Sequence, residues 1–86
     1  MKAMDDHAAV ITVVGQDTIG IISRVSSILA DNQVNIKDIT QTILENLFTM
    51  IMIVDMTKSS IDIKDLADKL EKLGDDLGLS IRIQHA

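Results

Sequence analysis

The sequence predicts an α+β sandwich of order strand, helix, strand, strand, helix, strand, in which one antiparallel four-stranded sheet carries both helices on the same face. Two features of the 86-residue chain predict it. The spacing of apolar residues switches between strand-like runs and helical stripes along the chain. One polar break between apolar runs is short enough for a hairpin, whereas the remaining runs are separated by helical segments.

The first strand is read from AAVITVV, Ala8 to Val14, a β-branched and almost wholly apolar run suited to a central strand covered at least partly on both faces. Ile11 and Val13 are expected to face the core, with Thr12 opposite. The stretch GQDTIGII, Gly15 to Ile22, breaks this run. Behind it Ile21, Ile22, Val25, Ile28 and Leu29 fall on one helical stripe and Ser23, Arg24, Ser26 and Ser27 on the other side. Asp17 or Thr18 stands where it can cap that helix by accepting from its free amides. VNIKDITQTIL is a second strand whose phase slips. Val34 and Ile36 mark one face, then Ile39 and Ile43 the other, so a bulge is expected near Lys37 and Asp38.

Glu45, Asn46 and Leu47 are short enough for a hairpin, and FTMIMIVDM follows as a third strand, apolar on both faces. Met50, Met52 and Met56 recur there at alternate positions, with Val54 completing the row, as core filling. Beyond Ser59 and Ser60 lies the clearest helix, with Ile63, Leu66, Ala67, Leu70, Leu73 and Leu77 on one side. Asp62 with Asp65 resembles a capping box. Asp65 with Lys69, and Asp68 with Lys72, set an acid four residues before a base, each pair contributing roughly 0.2–0.5 kcal/mol. Gly78 offers a left-handed stop, and SIRIQ closes the chain as a fourth strand. A right-handed crossover from the first strand to the second leaves a gap that the third fills through its hairpin, which is the ferredoxin-like arrangement.

Composition narrows the function. The chain has length for one domain, residues 1–86, with no linker, low-complexity tract or charge run, and residues 1–7 are expected to fray. With one Phe and no Trp or Tyr, the core must be built from Ile, Val, Leu and Met. A net charge of −5 repels a phosphate backbone and an anionic bilayer, so neither nucleic acid nor membrane is expected as partner. The absence of cysteine excludes a disulfide framework, a thiolate zinc site and a thiol nucleophile. No run reaches the roughly 18 apolar residues of a membrane span, and a cytoplasmic protein is expected.

GQDTIGII offers the most specific chemistry. Gly15 and Gly20 permit positive φ and close approach to the backbone, and a helix starting near Thr18 points free amides outward, a place that suits a carboxylate. Asp17 can accept from an α-amino group, and Asn35, both donor and acceptor, can read either end of an amino acid. The competing reading is that both glycines serve only backbone geometry and Asp17 only caps.

GQDTIGII, followed about a helix later by VNIKDITQTIL and then by LFTMIMIVDM, closely resembles the ACT domain, a small regulatory ligand-binding module of amino-acid metabolism. The resemblance covers almost the entire chain and is closest to small stand-alone ACT proteins that look like half of the glycine cleavage system transcriptional repressor. Two positions depart from the family pattern. Ile19 stands where many ACT domains have proline, and the chain stops at Ala86 where close members continue into a short tail. The resemblance implies that a ligand lies between two subunits, touched by the glycine turn of one and the second-strand region of the other. On this chain those positions are Gly15, Asp17, Thr18, Ile19, Gly20, Ile21, Asn35 and Ile36.

The other candidates are weaker. His7, in a polar start that is expected to fray, and His85, next to the last residue, both read as solvated surface histidines rather than acid–base catalysts. Asp5, Asp6 and His7 form a terminal triplet without a rigid second shell for a metal, and Asp75 and Asp76 beside Gly74 read as a solvated helix end. Ser23, Ser26 and Ser27 have no nucleophile-elbow context. No catalytic residue, cofactor or metal is expected. The reading is a non-enzymatic regulatory or sensor module that binds a small amino acid or similar metabolite at a homodimer interface and passes its occupancy to a regulated enzyme or regulator. The alternative is a structural interaction module that assembles through its sheet and binds no ligand.

Overall fold

The run that begins at Ala8 becomes the centre of the sheet. In the computed structural model, which describes residues 7–86, β1 spans Ala8–Gln16, α1 Ile21–Asp31, β2 Asn35–Leu44, β3 Leu47–Asp55, α2 Ile63–Leu77 and β4 Leu79–His85. The strands run in the order β2-β3-β1-β4, and every neighbouring pair is antiparallel. This is the ferredoxin-like βαββαβ sandwich that the sequence predicts. The expectation of a frayed start at residues 1–7 falls mostly outside the described residues; His7 itself is exposed, and its carbonyl oxygen accepts from the Met56 amide at 2.8 Å.

Residues paired across antiparallel strands share a face, so the register decides what is buried. Ile11 pairs with Met52 and Ile83, and Val13 with Met50 and Ile81. These rows, with Val54 and Phe48, meet Val25 and Leu29 of α1 and Leu66 and Leu70 of α2 in one aliphatic core. Ile11, Val13, Val25, Leu29, Met50, Val54, Leu66 and Leu70 are all fully buried, which is where an 86-residue chain without Trp or Tyr finds its apolar burial.

Several local signals hold. The Asp62 carboxylate caps α2 by accepting from the Asp65 amide at 2.8 Å, and Gly78 ends it in the left-handed region at φ 72. The bulge lies between Ile36 and Asp38. Its consequence differs from expectation. Ile36 pairs with Val54, Ile39 with Met52 and Ile43 with Phe48, all core-facing partners, so the inserted residue restores the phase and puts the three isoleucines on one face rather than two. The hairpin loop is Glu45 and Asn46 alone, and Leu47 already belongs to β3, paired with Leu44.

Two expectations about α1 are corrected. Neither Asp17 nor Thr18 caps it; the helix begins three residues after Thr18, and its N-cap is Gly20, at φ 87 with no side-chain hydrogen bond. The stripe is also narrower, because Ile22 is 40% exposed while Ile21, Val25 and Leu29 are buried. β2 is exposed from Lys37 to Leu44, and Ile22 faces a hollow that it lines with Gln41 and Ile43 of that strand.

Leu79, where α2 turns back into β4, is pinched by two glycines. A Cβ on Gly74 would stand 2.6 Å from the Leu79 carbonyl oxygen, and one on Gly15 2.5 Å from its Cδ2 and 3.2 Å from its Cα. Gly74→Ala therefore pushes helix against strand and should cost about 1–3 kcal/mol, more than the roughly 1 kcal/mol expected for Asp62→Ala, which removes a cap from an exposed helix end. Urea denaturation of the two variants checks the order.

Candidate functional site

The amides of the first turn of an α-helix have no partner within the helix. In α2 the Asp62 side chain meets this need and Asp65 adds negative charge to the first turn; in α1 there is neither a side-chain cap nor an acidic residue. The Ser23 and Ser26 hydroxyls donate backwards, to the Gly20 and Ile22 carbonyls at 3.2 and 2.7 Å, and leave the amides alone. The α1 N-terminus is thus an uncompensated positive end held at the sheet by the turn. The turn is tied down by the Asp17 amide, which donates to the Asn46 carbonyl of the hairpin at 2.9 Å.

A hollow of about 360 Å³ opens beside this end, lined by Asp17, Thr18 and Gly20 of the turn, Ile21, Ile22 and Ser23 of α1, and Gln41, Ile43 and Phe48 of β2 and β3. The amides and the Asp17 carboxylate supply polar groups of both signs, and the isoleucines and Phe48 supply an apolar wall. That combination suits a small zwitterion with an apolar body.

The eight residues singled out in the sequence divide three ways. Asp17, Thr18, Gly20 and Ile21 line the hollow. Gly15 does not, and its place against Leu79 accounts for the missing side chain; Ile19 is 97% exposed at the tip of the turn. Asn35 and Ile36 lie at the far end of the sheet. Gly15 pairs with Phe48 and Asn35 with Asp55, seven residues apart along β3, or about 23 Å at strand spacing. Asn35 borders a separate hollow of about 450 Å³ with Gln33, Asp55, Thr57 and Lys58. There the hydrogen bond from the Thr57 hydroxyl, joined by that from the Thr57 amide, holds the Asp55 carboxyl below its ordinary value.

Gln41, Ile43 and Phe48 were missed because they join the turn only through the β1–β3 and β2–β3 registers; the signal available was the restored phase of β2. A larger hollow of about 590 Å³ between α2 and the outer edge of β4 touches none of the predicted residues. Among the described residues no group of His, Cys, Asp and Glu could hold a metal ion, and Asp5 and Asp6 lie outside them. No helix there is long and apolar enough to cross a membrane.

Known proteins agree with this architecture. The family model described as the ACT domain matches residues 7–84. A UPF0237 protein of Methanococcus maripaludis is 55% identical over 76 residues, which are 88% of this chain and 84% of that protein. An ACT domain protein from Streptococcus pneumoniae superposes with a TM-score of 0.82 at 39% identity, over 95% of this chain and 92% of that one. A putative glycine cleavage system transcriptional repressor superposes with a TM-score of 0.80 at 26% identity, over 92% of this chain but 45% of that one. This chain therefore corresponds to about half of that protein.

The geometry separates two jobs of the turn by their cost. Asp17 caps nothing, so Asp17→Ala should change stability by less than about 0.5 kcal/mol, against roughly 1 kcal/mol for a true cap. A Cβ on Gly20 has open space, with nothing nearer than 3.8 Å, but the φ of 87 strains any L side chain. Gly20→Ala should cost about 1–2 kcal/mol and Gly20→Asn less, because asparagine tolerates this region. Chemical denaturation of the three variants tests the assignment.

Proposed function

The chain belongs to the ACT domain family, a regulatory ligand-binding fold, and we propose that it is a non-enzymatic sensor that binds a small amino acid or similar metabolite between two copies of itself. The observation that carries this reading is the uncapped start of α1 opening into the 360 Å³ hollow. A ligand carboxylate accepts from the free amides, its ammonium group meets Asp17, and its body rests on Ile22, Ile43 and Phe48. Asn35 and Ile36 are too far along the sheet to touch the same molecule within one chain, so a ligand that contacts both ends takes them from a second copy. Such a ligand couples occupancy to the subunit contact, and a regulated enzyme or regulator reads the result. The likeness to half of a putative transcriptional repressor supports a regulatory role of this kind.

The alternative, a structural module that binds nothing, is favoured by the exposed apolar residues Ile39, Ile43 and Leu44 on β2, which suit assembly without any ligand. A thermal-shift screen of the twenty amino acids decides between them. A ligand of the folded state alone stabilises by about 2.7 kcal/mol at a hundredfold excess over Kd, a rise of several degrees for a domain of this size. Asn35→Ala should keep the unliganded melting temperature and lose most of the shift. If no amino acid moves the transition, the structural module is the better account.

A further inference from the structure

β4 is the outer strand on the side of the sheet away from β2, and among the described residues it pairs with β1 alone. The ladders of β1 show which backbone groups of β4 are left over, because a central strand bonds alternately to its two neighbours. The His7 carbonyl accepts from the Met56 amide and the Asp17 amide donates to the Asn46 carbonyl, so odd-numbered residues along β1 bond toward β3. The Ala86 amide donates to the Ala8 carbonyl at 3.1 Å, so even-numbered ones bond toward β4. Ser80, Arg82 and Gln84, opposite Val14, Thr12 and Val10, are engaged with β1, and the backbone groups of Leu79, Ile81, Ile83 and His85 point outward. The Leu79 carbonyl oxygen lies against Gly74 of α2, whereas Ile81 and Ile83 line the hollow of about 590 Å³ shared with Ala67, Glu71 and Asp75 of that helix. The register with β1 runs unbroken from Ala9 with His85 to Gly15 with Leu79, with neither a bulge nor a proline to blunt the edge.

The helix beside this edge carries an uncompensated charge. Ala67, Glu71 and Asp75 stand four residues apart and form one line along α2. Glu71 and Asp75 are both exposed, and like charges at this spacing repel. Asp75 also lies in a last turn that has no basic residue and whose carbonyl dipoles disfavour an anion. A cation held along the strand relieves both penalties. A second copy does not supply it. Antiparallel pairing of two β4 edges about a two-fold normal to the sheet brings the α2 helices side by side, Glu71 and Asp75 of each toward those of the other, in a chain of net charge −5.

We infer that the β4 edge takes up an extended segment of a different protein as an added antiparallel strand. Lysine or arginine at alternate positions of that segment falls opposite Ile81 and Ile83, on the helix side against Glu71 and Asp75, and the residues between them lie with Ser80, Arg82 and Gln84 on the open face. The surface is separated from β2 by β1 and β3 and shares no residue with the hollow at the start of α1, so the inference goes beyond the proposed amino-acid site and does not depend on it.

An octapeptide alternating lysine with threonine, titrated to millimolar concentration into the unmodified chain, tests this through the amide resonances. The Ile81 and Ile83 amides should shift and exchange with solvent about tenfold more slowly or less, and Glu71→Lys combined with Asp75→Lys should weaken binding about tenfold or more. Both side chains are exposed, so the double variant keeps the core intact. Residues opposite Ile81 and Ile83 exchange backbone bonds with them, so N-methylation of the peptide at its lysines should abolish binding and N-methylation at its threonines should be tolerated. Absence of any β4 shift, equal binding by a peptide with glutamate in place of lysine, or binding that survives methylation of the lysines overturns the inference. A response to free lysine as large as that to the peptide reduces the surface to a cation site and overturns strand addition. Ile81 and Ile83 amides that are already protected in a dimer of the unmodified chain overturn it in favour of a second copy.

Discussion

The antiparallel register between β1 and β3 is the constraint on which the rest of the structure depends. From Ala8 with Asp55 to Gln16 with Leu47 it runs without interruption. Because side chains alternate with a period of two, a slip by one residue would turn Ile11, Val13, Met50 and Met52 away from both helices and leave the core without its sheet half. The same register fixes where β1 ends. It sets Gly15 beside Phe48 and hangs the turn over the β2–β3 hairpin, so packing and the candidate site follow from one alignment.

The two helices illustrate how one local problem is met in two ways. Both begin with amides that cannot be satisfied within the helix. α2 carries its own carboxylate, which accepts from the Asp65 amide and sets a negative charge at the helix start. α1 begins at a left-handed glycine without a side-chain cap, beside a hollow with an apolar wall. An unmet need at the surface is tolerable because water can fill it, and a carboxylate fills it better through charge. Under the proposed function, the stability that Asp62 contributes to α2 is, at α1, contributed by the ligand.

Much of this was legible in the chain. The six elements, the bulge, the Asp62 cap and the Gly78 stop rest on local rules: periodicity, capping chemistry and the freedom of glycine. What was not legible depends on partners distant in sequence. Asp17 looked like a cap because its residue type and place suit one, yet the tie of its amide to Asn46 holds the turn so that the helix starts only at Ile21. Ile22 looked buried because the stripe includes it, but it faces a hollow between α1 and β2 that no side chain fills. Ile39 and Ile43 looked turned away from Ile36 because alternation was counted through the bulge, and only pairing with β3 shows that the inserted residue resets it. Of the candidate site, the half on the turn was readable as a motif. The half on Gln41, Ile43 and Phe48 was not, since nothing local marks those residues as neighbours of a glycine.

The central claim is that the open start of α1 in one copy and Asn35 in another hold the same molecule. Amide resonances followed during titration with the amino acid that raises the melting temperature test it most directly. The account predicts that the amides of Gly20 to Ser23 and of Asn35 shift together and saturate at one common ligand concentration. Shifts confined to the hollow around Asp55 and Lys58, or to the groove between α2 and β4, with Gly20 to Ser23 unmoved, would contradict it.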